Sequence, residues 1–297
     1  MTKTIFKIIL ITVLLVTTQS ALSEANSRTR HQKLNTESAS VVESGTFELD
    51  LSYLFINQIG THSGSFNNNF GTTSQPRSKM KYQQAMLAVT YGLMDKMDIT
   101  ARIGWADIQD REYPYADKSG NGITDMEIDV KYLFYTDERG LSLGYVIGLG
   151  IPIGKESSTG SLNVGRKAWS LKQQLVLTKD FNEDWTMNWD VGYLLPFGCT
   201  RDYYSPGFGR RMYKSEGTLD SNVAFGYTGL EFLQPVVEAN YAHEWVRANS
   251  DSDRLGFTVG AIMPIEKHRL RIGVQRDFWG RNSTKAYTVV AGLSLVF

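Results

Sequence analysis

Cysteine is nearly missing from this chain. Cys199 is the only one in 297 residues, so no internal disulfide can form and the fold must hold without covalent cross-links. Long apolar runs are missing too: after the first residues no segment approaches the 18 continuous apolar side chains of a membrane-crossing helix, which excludes helical spans. Excess charge of either sign is a third lack. Lys and Arg number 31, as do Asp and Glu, so bulk charge gives no basis for nucleic-acid binding and no nucleic-acid partner is expected.

Histidine is also scarce, with four in the chain. A hydrolase of the serine type needs a hydroxyl with a base in hydrogen-bond reach. His62 falls in a polar link, His268 in a short turn, and His243 shares a face with Tyr241 and Trp245; none is followed two residues later by Ser. The stretch "AHEWV" at 242–246 lacks the second His at i+4 of a zinc pair, and no base can be placed beside Cys199. The expectation is therefore no enzyme, with no catalytic, cofactor-binding or metal-binding residues and no cofactor.

What the chain does have begins with "MTKTIFKIILITVLLVTTQSALSEA". Lys3 and Lys7, the apolar run Ile8 to Val16, and the small residues Ser23 and Ala25 have the layout of a secretory signal over residues 1–25. Residues 26–43, "NSRTRHQKLNTESASVVE", have no period and few apolar side chains, and read as a flexible leader on the periplasmic side.

From 44 to 297 one unit repeats: an alternating segment, a turn, another alternating segment. In "TFELDLSYLF", Phe47, Leu49, Leu51, Tyr53 and Phe55 oppose Glu48, Asp50 and Ser52. In "DMEIDVKYLF", Met126, Ile128, Val130, Tyr132 and Phe134 oppose Glu127, Asp129 and Lys131. "WTMNWDVGYLL" sets Trp185, Met187, Trp189, Val191 and Tyr193 against Asn188, Asp190 and Gly192. Weaker alternation runs through 218–228 and 235–246. The pattern gives about twelve such segments of roughly ten residues each, an even number, as a membrane barrel requires.

The connections sort by length. "DKMD", "DERG", "KDFNED", "YTGLEF" and "EKH" are short; between them fall longer polar links near 58–80, 108–122, 154–167, 196–217, 247–253 and 277–285. Short turns at one end and long loops at the other are the mark of an outer-membrane barrel. The apolar face carries Tyr53, Phe55, Trp105, Phe134, Trp185, Tyr193 and Trp245 near strand ends, where rings meet a lipid–water boundary. The fold class expected is thus all-β: a transmembrane antiparallel up-and-down β-barrel in the bacterial outer membrane, with membrane lipid as its surroundings. The last strand, "AYTVVAGLSLVF", resembles the signal read by the outer-membrane assembly machinery, with Phe297 at its edge.

Residues 121–156, "NGITDMEIDVKYLFYTDERGLSLGYVIGLGIPIGKE", join an Asp before an alternating strand ending in Lys-Tyr, a short acidic turn, and a Gly-rich strand ending in Pro-x-Gly. This stretch, continued by 158–195, resembles the outer-membrane transporters of the MetA-pathway of phenol degradation family. The chain departs from the family's Gly-Asp by reading Gly122-Ile123-Thr124-Asp125. The resemblance implies a barrel of about twelve strands over 46–297 that takes up small, often aromatic compounds.

The polar parity supplies the candidate lumen residues: Glu48, Asp50, Arg102, Glu127, Asp129, Lys131, Lys172, Asp190, Arg271 and Asp277. They suit either a permeation path or salt bridges bracing the wall. Gly144, Gly148 and Gly150 leave one wall nearly bare, which relieves strain in a curved sheet or makes room for a solute or for the leader as a plug. "YSPGFGRRMY", with Arg210 and Arg211, could meet an anionic solute or surface sugar phosphates, or cap the barrel. The expected function is a porin-like channel for passive uptake of small, aromatic or hydrophobic solutes. The alternative is a non-conducting surface barrel, acting as adhesin, receptor or structural protein through its long outer loops.

Overall fold

In the computed structural model, the described residues are 31–61, 77–113, 118–154, 164–165, 168, 169–197, 215–246, 251–281 and 283–297. The expected signal over 1–25, residues 26–30 of the leader, His62, Cys199 and the Arg210–Arg211 loop lie outside them.

Thirteen strands follow in order: β1 (Phe47–Thr61), β2 (Arg77–Met94), β3 (Met97–Tyr113), β4 (Lys118–Ile123), β5 (Met126–Thr136), β6 (Leu141–Ile151), β7 (Trp169–Asp180), β8 (Trp185–Phe197), β9 (Ser215–Tyr227), β10 (Gln234–Val246), β11 (Ser252–Ile265), β12 (His268–Arg281) and β13 (Thr284–Val296). Each pairs antiparallel with its neighbours, and β1 pairs with both β2 and β13. β4 and β5 both lie along β3 and are two parts of one strand, so the cylinder is a closed barrel of twelve. At the seam, Phe47 and Phe297 exchange both backbone hydrogen bonds, at 3.3 and 2.8 Å. Closure is obligatory, because an unpaired backbone group in hydrocarbon costs several kcal/mol.

The β4–β5 interruption falls at Thr124–Asp125, where the sequence departs from the family pattern. Two side chains and one backbone carbonyl satisfy the backbone there. Gly104 N donates to Thr124 Oγ1 at 3.0 Å, Thr124 N to Gly104 O at 2.9 Å, and Gly154 N to Asp125 Oδ1 at 2.9 Å.

Five of the six links expected as loops are partly strand. β1 runs on to Thr61 and β2 starts at Arg77, β3 reaches Tyr113 and β4 takes up the end of 108–122, β8 and β9 enter 196–217, β11 enters 247–253, and β12 and β13 take up most of 277–285. Past the membrane both faces of a strand are wet, so ladder pairing continues without the alternation that reveals it in sequence.

Alternation sorts the side chains as the pattern requires. Leu87, Ile103, Tyr132, Leu175, Val237, Val259 and Ile272 are exposed on the outer wall. Among the described residues no second sheet or helix covers them, and their partner is lipid. Rings gather at both ends of the cylinder: Phe47 on Tyr91 and Trp185 on Tyr227 at the turn end, and Tyr193 on Trp245 and Phe257 on Phe278 at the loop end. From Phe47 to Asn57, level with Tyr287, β1 advances about 33 Å at the usual strand rise. Tilted as barrel strands are, that spans the ~25 Å apolar band.

The inner parity is polar and tightly paired near the seam. Arg269, 1% exposed, lies 2.7 Å from Glu48, and Arg271 lies 2.7 Å from Asp50. Asp50 also accepts from Ser294 at 2.6 Å, so β1, β12 and β13 are laced together from inside. Removing one member of a buried ion pair strands the other. Arg269→Met is therefore expected to cost about 3–5 kcal/mol in urea unfolding from lipid vesicles, and adding Glu48→Leu should recover most of that loss.

Candidate functional site

The site is the lumen, and the chain itself occupies it. Residues 31–43, the described part of the leader expected over 26–43 as a flexible segment on the periplasmic side or as a plug, run among the inward side chains of the wall, and 44–46 lead from them into β1. Any irregular segment must satisfy its amide groups, and this one does so on the wall. Leu34 N and Asn35 N donate to Glu238 on β10, Leu34 at 2.7 Å; Glu37 N donates to Asp190 on β8 at 2.9 Å. Ala39 N donates to Thr178 on β7 at 2.9 Å, and Val42 N to Asp98 on β3 at 3.0 Å. Carbonyls are met from the wall as well: Asn188 donates to His31 O at 2.6 Å, and Lys131 to Ser38 O and Ser40 O at 3.1 and 3.2 Å.

Side chains extend the same pattern. Gln32 reaches Ser294 at 3.2 Å, Lys33 reaches Thr186 at 2.8 Å, and Asn35 reaches Thr258 at 3.1 Å. His31 lies between Asp180 and Ser40. β3 and β10 face each other across a twelve-stranded cylinder, so a segment bound to Asp98 and Glu238 bridges opposite walls.

Glycines on the inner parity shape the seat. A Cβ at Gly260 or Gly273 would come within 2.7 or 2.6 Å of Leu34 Cδ1. Leu34 settles there against Val236 and Ile262. Gly144 lies under Ala39, which packs with Val146 and Val176. Gly92 passes beneath the backbone of Val42 and Glu43, where the segment turns into β1. Of the bare wall expected at Gly144, Gly148 and Gly150, the first makes room for the segment. The other two make room for the side chains of Asp129 and Ser170.

All ten candidate residues lie on the inner parity, in separate groups. Glu48, Asp50 and Arg271 belong to the seam lacing. Arg102 and Lys172 both pair with Asp129, Lys172 at 3.0 Å, and Glu127 sits opposite Arg102 in register. Lys131 pairs with Glu37 of the inner segment. Asp190 accepts from Asn222 at 2.9 Å as well as from Glu37 N. Asp277 stands apart on β12, accepting from Gln275 at 3.1 Å.

Burial alone would raise the Glu37 carboxyl pKa, but Lys131, with Arg102 and Lys172 near, holds it well below its ordinary value of 4.5. A carboxylate shifted this way keeps its ion pair at every pH above that ordinary value. It gives the pair up only as pH falls through the lowered one.

Sequence reasoning missed Glu238, Asp98, Arg269 and Glu37. Glu238 has the same parity signal as the ten, inside the weakly alternating 235–246 segment. Asp98 and Arg269 sit where strands begin beside short turns. Glu37 had no signal, because its segment has no period.

A cylinder with lipid-facing apolar residues, two aromatic girdles and a polar, occupied lumen defines an outer-membrane β-barrel. The sequence matches the family described as "Putative MetA-pathway of phenol degradation" over residues 63–292, and the chain belongs to it. Among solved structures it is similar to the COG4313 outer membrane channel from Pseudomonas putida F1, with TM-score 0.71 and 14% identity over 89% of this chain and 100% of that one. It is also similar to the beta domain of the Bordetella autotransporter Brka, with TM-score 0.52 and 13% identity over 84% of this chain and 99% of that one. The transport unit of autotransporter AIDA-I from Escherichia coli gives TM-score 0.51 and 10% identity over 92% and 99%. These likenesses establish the fold and, with the family, a place in the bacterial outer membrane. No curated protein matches the sequence.

Lys131 holds the inner segment at three points. Lys131→Met removes them and leaves the half-buried Glu37 without the cation it is bonded to, a loss of about 2 kcal/mol, the low end for a truncated charge pair. With Cys199→Ser and Thr36→Cys as background, a membrane-impermeant maleimide is expected to label position 36 at least tenfold faster in the Lys131→Met barrel.

Proposed function

We propose that this barrel is a passive channel for small solutes across the outer membrane, obstructed at rest by residues 31–46 and conducting when that segment leaves the wall. The observation that carries the reading is how the obstruction is held. Its backbone is bonded to single side chains of Glu238, Asp190, Thr178 and Asp98, each on a different strand. Individual hydrogen bonds of this kind contribute about 0.5–1.5 kcal/mol, and no ladder joins the segment to the barrel beyond a bridge from Ser44 to Gly92 among the described residues. An obstruction so attached can detach without unpairing a strand.

The solute class we infer is small and apolar or aromatic. At the loop end the inner wall changes character: Ile56, Met80, Tyr82, Ala106 and Ile108 form an apolar cluster with Val164. The patch is buried, with Val164 of the β6–β7 link packed against it, so a ring-bearing solute would meet it by displacing that cover, in keeping with the family's description. Transport of this kind involves no bond making, and the barrel acts without chemistry on its solute.

Planar-bilayer recording of the purified barrel tests the reading. The wild type is expected to show brief, small openings, and Lys131→Met or removal of residues 31–43 to give larger and longer ones. A correctly closed barrel that stays silent in both variants would sink the proposal and favour a non-conducting surface role.

A further inference from the structure

One row of the outer wall breaks the apolar surface. Following the ladder sideways from β12 to β3, the residues in register are Arg276, Tyr287, Asn57, Lys81 and Gln109. All share the outward parity of Val274, Val289, Phe55 and Gln83 in the row below. Lys285, on β13 and two residues nearer the loop end than Tyr287, points the same way. The row therefore carries two cations, with a third just above, separated by groups able to hydrogen-bond.

By the advance from Phe47, its middle at Asn57 lies near the loop-end limit of the ~25 Å band, where the lipid headgroups of the outer leaflet begin; because the strands tilt, one end of the row sits higher than the other. Arg276 and Lys81 are exposed, and Lys285 is half-buried. None has an acidic partner among the described residues. Arg276 rests over the Tyr287 ring, 5.4 Å from its centroid. Asp107, the acid sharing this face beside Lys81, lies one row lower and accepts from Gln109 at 3.2 Å. Higher up, Arg281 is already bound to Asp253 at 2.8 Å.

Unpaired cations beside low-dielectric lipid gain little unless an anion meets them. We infer that this row is a binding site for a phosphorylated glycolipid of the outer leaflet, with phosphates on Arg276–Lys285 and on Lys81 and the sugar between them. Arg offers phosphate a forked pair of donors and Lys a point charge. Asn57 and Tyr287, between the cations, suit sugar hydroxyls. Arg276 and Lys81 are three strand spacings apart, about 14 Å, a reach suited to a disaccharide bearing phosphate at each end. A free phosphate ion could meet Arg276–Lys285 or Lys81 but could not span the two, so the site is assigned to the lipid.

The inference rests on the barrel's place in the outer membrane and not on conduction, so its failure would leave the channel reading standing. Native mass spectrometry of the full chain in detergent tests it, with diphosphoryl lipid A, dephosphorylated lipid A and phosphatidylethanolamine as probes and inorganic phosphate as competitor. The wild type is expected to retain one diphosphoryl lipid A with at least about tenfold preference over the other two lipids, in line with what surface cations contribute. Inorganic phosphate at millimolar concentration should not displace it. The Lys81→Gln/Arg276→Gln/Lys285→Gln variant should lose the preference while keeping the heat-dependent gel mobility of a closed barrel. If the triple variant does not close, the single variants Arg276→Gln and Lys81→Gln, each expected to weaken the preference, decide. Equal retention of all three lipids by the wild type, displacement by free phosphate, or preference unchanged in the variants would each overturn the assignment.

Discussion

Backbone amides that enter hydrocarbon must find partners within the protein, and the rest of this molecule follows from that. The rule admits only a cylinder without edges, and here the cylinder is completed where β1 meets β13 through the Phe47–Phe297 pair. Once the wall is closed, the two-residue period of a strand sends alternate side chains to lipid and to the lumen. The interior becomes polar because the exterior cannot be. Even the interruption between β4 and β5 obeys the rule, with Thr124 and Asp125 side chains taking over from missing ladder bonds.

Within the lumen the same demand acts on residues 31–43, which have no strand to pair with. The wall answers with carboxylates, hydroxyls, an amide and an ammonium group, one contact at a time. Specificity comes from shape as much as from polarity: Leu34 enters a hollow left by Gly260 and Gly273, and Ala39 lies on Gly144. The segment is thus fitted to this barrel, yet it remains outside the hydrogen-bonded fabric of the sheet. Such a division between a rigid wall and a separately bound occupant allows the two to respond to different forces.

Much of this was legible from the residues. Strict alternation in "TFELDLSYLF" and "DMEIDVKYLF" fixed the faces of β1 and β5, and with them the inward placement of Glu48, Asp50, Glu127, Asp129 and Lys131. Turn lengths separated the two ends. Periodicity speaks only where one side is dry, however, so the strand extensions to Thr61 and Tyr113 and the short β4 carried no signal. The path of residues 31–46 was illegible for a related reason. A segment that binds through its backbone leaves few marks in its own side chains. Its traces lie on the wall instead, as inward glycines at 92, 144, 260 and 273 and as acids such as Glu238 whose partners are amides.

The group around Asp129 has an electrical consequence. Arg102, Lys131 and Lys172 stand with Glu37, Glu127 and Asp129, three formal positive charges with three negative, and one of the negatives arrives on the inner segment. With that segment seated, the interior there is neutral. Were it to withdraw, Glu37 would go too, leaving an excess of one positive charge on the exposed wall. Clearing the passage and setting its ionic preference would then be a single event, and a negatively charged molecule competing for Lys131 could help to bring it about.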